Sequence, residues 1–161
     1  MKSVFALDEI DIAILNVLQE EGRISVLDLA EKVGLSPTPC GRRLRALEEE
    51  GYIEKYVALL KPKMLGIAFD VFIKVRLKSS EGTAIKEFLE AVKSASEIQQ
   101  VYFIAGDYDY LLHVRTESAE KFKEFLLEKL LILGVAHTQS HIVLEEVKNT
   151  TALLIPRQTQ A

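Results

Sequence analysis

The chain holds 161 residues, 48% hydrophobic and 27% charged, with a formal net charge of −4. That is enough for one medium domain or two small ones with real cores, and too apolar a balance for disorder. No apolar run approaches the ~20 residues that cross a bilayer and the N-terminus shows no secretory h-region, while the single Cys40 rules out an internal disulfide framework and fits a reducing cytoplasm.

Asp8 is placed to cap a first helix running to about Glu21, with Ile10, Ile14, Val17 and Leu18 inward and Gly22 ending it. Ser25, with Asp28 at N3, opens a short second helix whose expected apolar stripe is Leu27, Ala30 and Val33. Gly34 stops that helix, since a left-handed C′ residue costs glycine nothing. Ser36 then caps a third helix with Pro37 at N1, and Pro39 falls at N3, where an amide has no carbonyl partner to lose. Within it Cys40, Leu44 and Leu47 recur at i, i+4, i+7 as a buried stripe, Cys40 being read as a small core residue and not a nucleophile.

Thr38, Gly41, Arg42 and Arg45 form a second stripe about 100° away, read as exposed, with Arg43 flanking it. Two short helices around a glycine turn, the second loaded with arginine, form the pattern of a helix-turn-helix and point to double-stranded DNA. Ser36, Pro37, Thr38, Gly41, Arg42, Arg43 and Arg45 are the candidate contacts, hydroxyls and guanidinium groups at a helix N-terminus being suited to phosphates and guanine edges. Gly41 would allow close backbone approach. An ordinary αα-hairpin with a solvated basic face would carry the same pattern. Residues 1–60 hold seven Lys/Arg against eleven Asp/Glu, yet residues 36–47 hold three arginines and no acid. Basic charge is focused on one surface, and useful affinity is expected to need a dimer or larger assembly.

YIEKYVALL (52–60) is β-prone and reads as a strand leading away, and KPKMLG (61–66) as a linker. Residues 69–78 alternate Val71, Ile73, Val75 and Leu77 on one face, a strand; residues 81–93 place Ile85, Phe88, Leu89 and Val92 on a helical stripe. IQQVYFIAG and YDYLLHVRT predict two strands around a tight turn at Gly106 and Asp107. Ser118 caps a helix with Phe122, Phe125, Leu126 and Leu130 inward and Gly134 at its end, and residues 137–147 read as the last strand. The order βαββαβ predicts a ferredoxin-like α+β sandwich, two helices on one face of a four-stranded antiparallel sheet. Its other face, with Phe72, Tyr102, Ile104 and Leu111, is expected to be covered by self-association.

No catalytic constellation or cofactor motif is found, and no metal site is expected. His137 and His141 would sit about 13 Å apart along a strand, and GDYD lacks the glycine spacing of a phosphate-cradling loop. GDYDY (106–110) admits two readings. It is a hairpin turn in which Gly and Asp provide turn geometry. Alternatively, its amides hold a carboxylate while Asp107 or Asp109 holds an ammonium, which together would recognise an α-amino acid.

Four stretches, LDEIDIAILNVLQEEGRIS (7–25), VGLSPTPCGRRLRALEEEGYI (33–53), GDYDYLL (106–112) and VLEEVKNTTAL (143–153), resemble the leucine-responsive regulatory protein/AsnC family of transcription regulators, in the family's order and across nearly the whole chain. SPTPC followed by arginines is the specific part; Gly41 departs from it, since similar proteins more often carry a larger side chain there. The resemblance implies a (winged) helix-turn-helix domain over 1–60, a linker at 61–66, and a ferredoxin-like effector-binding and oligomerisation domain over 67–161. It further implies an amino-acid-like effector at Gly106, Asp107, Tyr108 and Asp109, with Thr138 and Ser140 opposite from a neighbouring dimer. Sheet-to-sheet homodimers assembling into octamers, and a cytoplasmic, nucleoid-associated location, complete the expectation. A nucleoid-organising protein that wraps DNA without an effector is the alternative; an enzyme or allosteric subunit is disfavoured by the lack of acid–base pairs.

Overall fold

The computed structural model describes residues 7–79 and 81–156, which form two compact units. The first takes residues 7–59 together with 148–156; the second is Leu60–Val147. The C-terminal segment therefore belongs with the helices and not, as the sequence division had it, with the sheet.

In the helical unit α1 (Glu9–Glu20) starts in a full capping box: the Asp8 carboxylate accepts from the Asp11 amide at 2.8 Å and that of Asp11 from the Asp8 amide at 3.2 Å. α2 (Val26–Lys32) is capped by Ser25, whose Oγ accepts from the Asp28 amide at 3.1 Å, and Gly34 follows at φ +71°. α3 (Pro37–Glu49) keeps Pro39 without interruption. Ile14, Leu29, Ala30, Cys40 and Leu47 make the core, with Leu15 beside them. The stripe of α2 is corrected here: Leu27 is 65% exposed, and Leu29 takes the buried place. A helix of two turns meets its neighbours on one narrow face, and at about 100° per residue Leu27 lies about 160° round the helix from Leu29.

Residues 52–60, expected as a strand, join no ladder among the described residues. β-propensity fits a chain to a pleated surface and does not supply a partner. The returning segment is held on α1 by the Gln19 carboxamide, which donates to the Leu153 carbonyl at 3.2 Å and accepts from its amide at 2.5 Å, while Ile155 packs on the core.

The second unit runs β1 (Phe69–Leu77), α4 (Gly82–Ser94), β2 (Ile98–Phe103), β3 (Tyr110–Thr116), α5 (Ala119–Glu124) and β4 (Val135–Ile142). The sheet order β2-β3-β1-β4, antiparallel throughout, is the expected βαββαβ arrangement. Val71, Ile73, Val75, Leu112 and Val114 are fully buried against Phe88, Val92, Phe125 and Leu130, so both helical segments cover one face. Three details differ from expectation. β2 and β3 are joined by a six-residue loop, 104–109, rather than a tight turn. α5 passes into a π-helical turn over Phe125–Leu130, and β4 begins at Val135 and stops at Ile142.

Candidate nucleic-acid interface and ligand loop

The packing of α3 decides which of its side chains are available. Cys40 and Leu47 are fully buried, and Ser36, Pro37, Thr38, Arg42 and Arg45 are exposed. At 100° per residue Arg42 and Arg45 lie about 60° apart on either side of Thr38, one contiguous outward face. Ser36 sits at the N-cap in extended conformation, its hydroxyl making no capping bond. With prolines at N1 and N3, Thr38 alone carries an N–H among the first three helical residues, so the anion-attracting end of this helix offers one amide where most offer three. Burial pushes the Cys40 thiol up, which makes it inert at neutral pH.

Two expected contacts are placed elsewhere. Gly41 is half-buried on the flank facing α2: a Cβ built there would meet Val26 Cγ1 at 3.4 Å, an ordinary contact distance, so the position faces a neighbouring helix. Arg43 turns to α1, its Nη1 lying 2.7 Å from Asp8 Oδ2 and 2.8 Å from Asp11 Oδ1. Asp11 is 2% exposed. Hydrogen bonds from Arg43 to Asp11 and then Asp8 push the guanidinium pKa up. At Asp8 burial raises the pKa, but the Asp11 amide and Arg43 lower it by more, and the carboxyl ends below its ordinary value.

In the sheet unit the 104–109 loop is organised by its own residues. Gly106 has φ +133°, a conformation that favours glycine. The Asp107 carbonyl accepts from Arg76 Nε at 2.6 Å and also from Arg76 Nη2. Asp109 is tied into the sheet at three points: its amide donates to the Val75 carbonyl at 2.9 Å, its carbonyl accepts from the Ile104 amide at 2.9 Å, and its Oδ2 accepts from the Leu77 amide at 2.8 Å. One of the two carboxylates expected to hold a ligand ammonium thus already terminates β1.

Tyr108 lies against His137, ring centroids 6.0 Å apart, with Lys74 and Arg76 each 5.8 Å from its ring. Arg76, paired across the ladder with His137, shares the face opposite the helices. Thr138 and Ser140 pair with Val75 and Ile73 and so point to the helix-bearing face. Within one chain the structure brings Tyr108 to His137, and leaves Thr138 and Ser140 on the other side of the sheet.

The outer sheet face is more polar than the sequence suggested. Phe72 stacks on His113 at 4.5 Å, and Asp70 receives His113 Nε2 at 2.6 Å and Arg115 Nε at 2.8 Å. Alternation announced the apolar members of this face, while the ion network depends on cross-strand register that periodicity does not give. Lys74, Arg76 and His137 around Tyr108, and the Asp8–Asp11–Arg43 bridge, were missed for the same reason. Asp8 was legible as a helix cap, but a cap signal does not show where its second oxygen points or that Asp11 shares the bridge.

The sequence pattern of the winged helix-turn-helix DNA-binding family matches residues 7–54, and that of the Lrp/AsnC ligand binding domain matches residues 70–153. The chain belongs to the Lrp/AsnC family. Leucine-responsive regulatory proteins of Escherichia coli (strain K12) and Klebsiella pneumoniae are 43% identical to it over 150 residues, 92% of this chain and of theirs. A transcriptional regulator from Neisseria meningitidis, solved as an L-Met complex, superposes with a TM-score of 0.90 at 39% identity, covering 92% of this chain and 97% of that one. An AsnC family transcriptional regulator from Agrobacterium tumefaciens gives 0.87 at 36% identity, with the same coverage. As an Lrp/AsnC member the chain is a transcription regulator with a DNA-binding helix-turn-helix and a ligand-binding domain.

Proposed function

We propose that the exposed face of α3, made by Ser36, Pro37, Thr38, Arg42 and Arg45, reads a duplex operator, and that an α-amino acid bound at the 104–109 loop alters that binding. The observation that carries the second half is the L-Met complex of the Neisseria regulator, a protein 39% identical over nearly this whole chain. Gly106 and Asp107 are exposed loop positions open to such a ligand, with Tyr108 beside them. Thr138 and Ser140 complete the site from a second dimer. The protein acts by binding and not by turnover, in the cytoplasm and on the nucleoid.

The reading includes a homodimer that assembles further, to an octamer. It is supported by Phe72, Tyr102 and Leu111, which share the outer sheet face, and by residues 53–60, which have no strand beside them among the described residues. The decisive experiment is thermal shift of the pure protein against the twenty amino acids, followed by gel shift on a selected duplex with and without any hit. A ligand at 100 Kd stabilises by about 2.7 kcal/mol per site. A thermal hit that leaves DNA binding and assembly unchanged would remove the effector role. DNA wrapping with no hit at all would favour the architectural alternative.

A further inference from the structure

The arginine-rich helix holds three guanidinium groups, and only two of them face outward. Arg43 lies about 160° around the helix from Arg45, on the flank packed against α1. There it meets a cluster with an unusual division of labour. Each carboxylate of the capping box uses one oxygen to hold the start of α1: Asp8 Oδ1 takes the Asp11 amide and Asp11 Oδ2 takes the Asp8 amide. The other oxygen of each turns onto the same atom, Arg43 Nη1, at 2.7 and 2.8 Å. Asp11 is buried, so this is not a pair of exposed charges that drift apart in salt. On the opposite flank Gly41 faces α2, Val26 Cγ1 standing 3.4 Å from where a Cβ would be. The apolar contacts of Cys40, Leu44 and Leu47 fix how deeply α3 is seated; being non-directional, they set its rotation about the helix axis less sharply than hydrogen bonds aimed at one guanidinium nitrogen.

We propose that Arg43 is a positioning residue for DNA recognition and not a DNA contact: bridged to Asp8 and Asp11, it sets the axial rotation of α3 and thereby aims Arg42 and Arg45. This rests on α3 being the reading helix, as proposed above. A rotation of one residue step, about 100°, would carry Arg45 off the outward face altogether. A guanidinium committed to two carboxylates has its charge neutralised locally, so it adds little to the attraction of phosphates.

The contact and positioning roles predict opposite signs. If Arg43 touched DNA, Asp11→Asn would release it and strengthen binding. If it positions the helix, Asp11→Asn weakens discrimination although the variant has lost a negative charge. The test uses the full-length protein, a duplex selected by the wild type from a randomised pool, and a shuffled duplex of equal composition, each titrated from low to moderate salt. Arg43→Met, Asp11→Asn, their combination, Arg43→Lys and Arg45→Ala are compared, with urea unfolding to restrict the comparison to folded protein.

Expected are a loss of preference for the selected duplex of about tenfold in Arg43→Met and in Asp11→Asn, and no further loss in the double variant. The salt slope on the shuffled duplex should match the wild type. Recovery is expected in Arg43→Lys, because one ammonium nitrogen can replace the single nitrogen that makes both contacts. Should Arg43→Met not fold, Asp11→Asn still decides the sign. A slope reduced by about one in Arg43→Met would overturn the inference by revealing a phosphate contact; so would tighter binding in Asp11→Asn, or wild-type discrimination in Arg43→Met. Arg45→Ala indistinguishable from wild type would overturn the reading helix itself, and the inference with it.

Discussion

Replacing Asp109 by alanine removes the acceptor that closes the end of β1. Its Oδ2 takes the Leu77 amide at 2.8 Å in a part-buried setting, at a point where the β1–β4 ladder shifts register between Arg76 and Leu77. The Leu77 amide lies where the regular ladder is interrupted, so the carboxylate takes over a ladder bond. A hydrogen bond to a charged group is worth about 1.5–3 kcal/mol, and a part-buried site belongs at the lower end. Asp109→Ala is therefore expected to destabilise the sheet unit by about 1.5–2 kcal/mol. Asp109→Asn, which keeps an oxygen acceptor but no charge, should cost roughly half of that. Urea unfolding of the three proteins, followed by far-UV circular dichroism, measures both. The same proteins decide the ligand question: a carboxylate serving the sheet predicts that Asp109→Asn retains ligand affinity, whereas an ammonium partner predicts a loss of about 10- to 100-fold. Equal stability of Asp109→Ala and wild type, with ligand binding abolished, would refute the structural assignment.

Arg42→Ala and Arg45→Ala are each expected to lower affinity for a selected duplex by about 1–3 kcal/mol and to relax sequence preference if they read bases; gel shift against mismatched duplexes separates this from the uniform weakening of a phosphate contact. Gly106→Ala meets no atom within 4 Å, so its cost is that of φ +133° alone, about 1–3 kcal/mol in thermal or urea unfolding. Gly41→Ala removes a helix penalty of about 1 kcal/mol against only ordinary contact with Val26, and should raise stability; a loss of stability would mean α2 is closer than 3.4 Å implies. The Tyr56 hydroxyl donates to Glu48 at 2.9 Å, and burial first, then that carboxylate, pushes its pKa up to about 12. The folded state thus holds the phenolic proton more tightly than the unfolded one, a contribution present in full below pH 10 and lost between about pH 10 and 12. Tyr56→Phe should flatten the stability curve in that window alone.

The elements of both units were legible wherever a local signal suffices: caps at Asp8, Ser25 and Ser118 are all where they were expected, and the period-two run of β1 gave its buried face correctly. What the sequence withheld is tertiary. Nothing local says that residues 148–156 return to α1, because that docking is a Gln19 carboxamide meeting a backbone 134 residues away. Leu27 and Leu29 are equally apolar, and only the direction of the neighbouring helix chooses between them. At the candidate sites two of the expected residues have partners inside the fold. Arg43 and Asp109 stand in the right motifs, yet each is already bound within its own unit by groups that spacing could not reveal.

This division bears on how an acidic chain holds DNA. Of the three arginines of α3, one is neutralised by Asp8 and Asp11, which leaves Arg42 and Arg45 as the exposed cations of the helix. Even if both neutralise a phosphate, the dependence of log K on log salt from this helix is only about −1.8 per protomer, and the accompanying nonspecific affinity is slight. Two helices acting together double that slope, and their binding free energies add apart from the entropy of linking them. If α3 reads the operator as proposed, it gains its specificity from base edges and its affinity from copy number. Whatever shifts assembly would then shift operator occupancy as well, and a ligand held between dimers would act on DNA without touching α3. Diluting the protein through its dissociation range while following gel shift on one-half-site and two-half-site duplexes tests this. Binding to two half-sites should collapse with dissociation, and affinity for a single half-site that matches the double one would show that one α3 is enough.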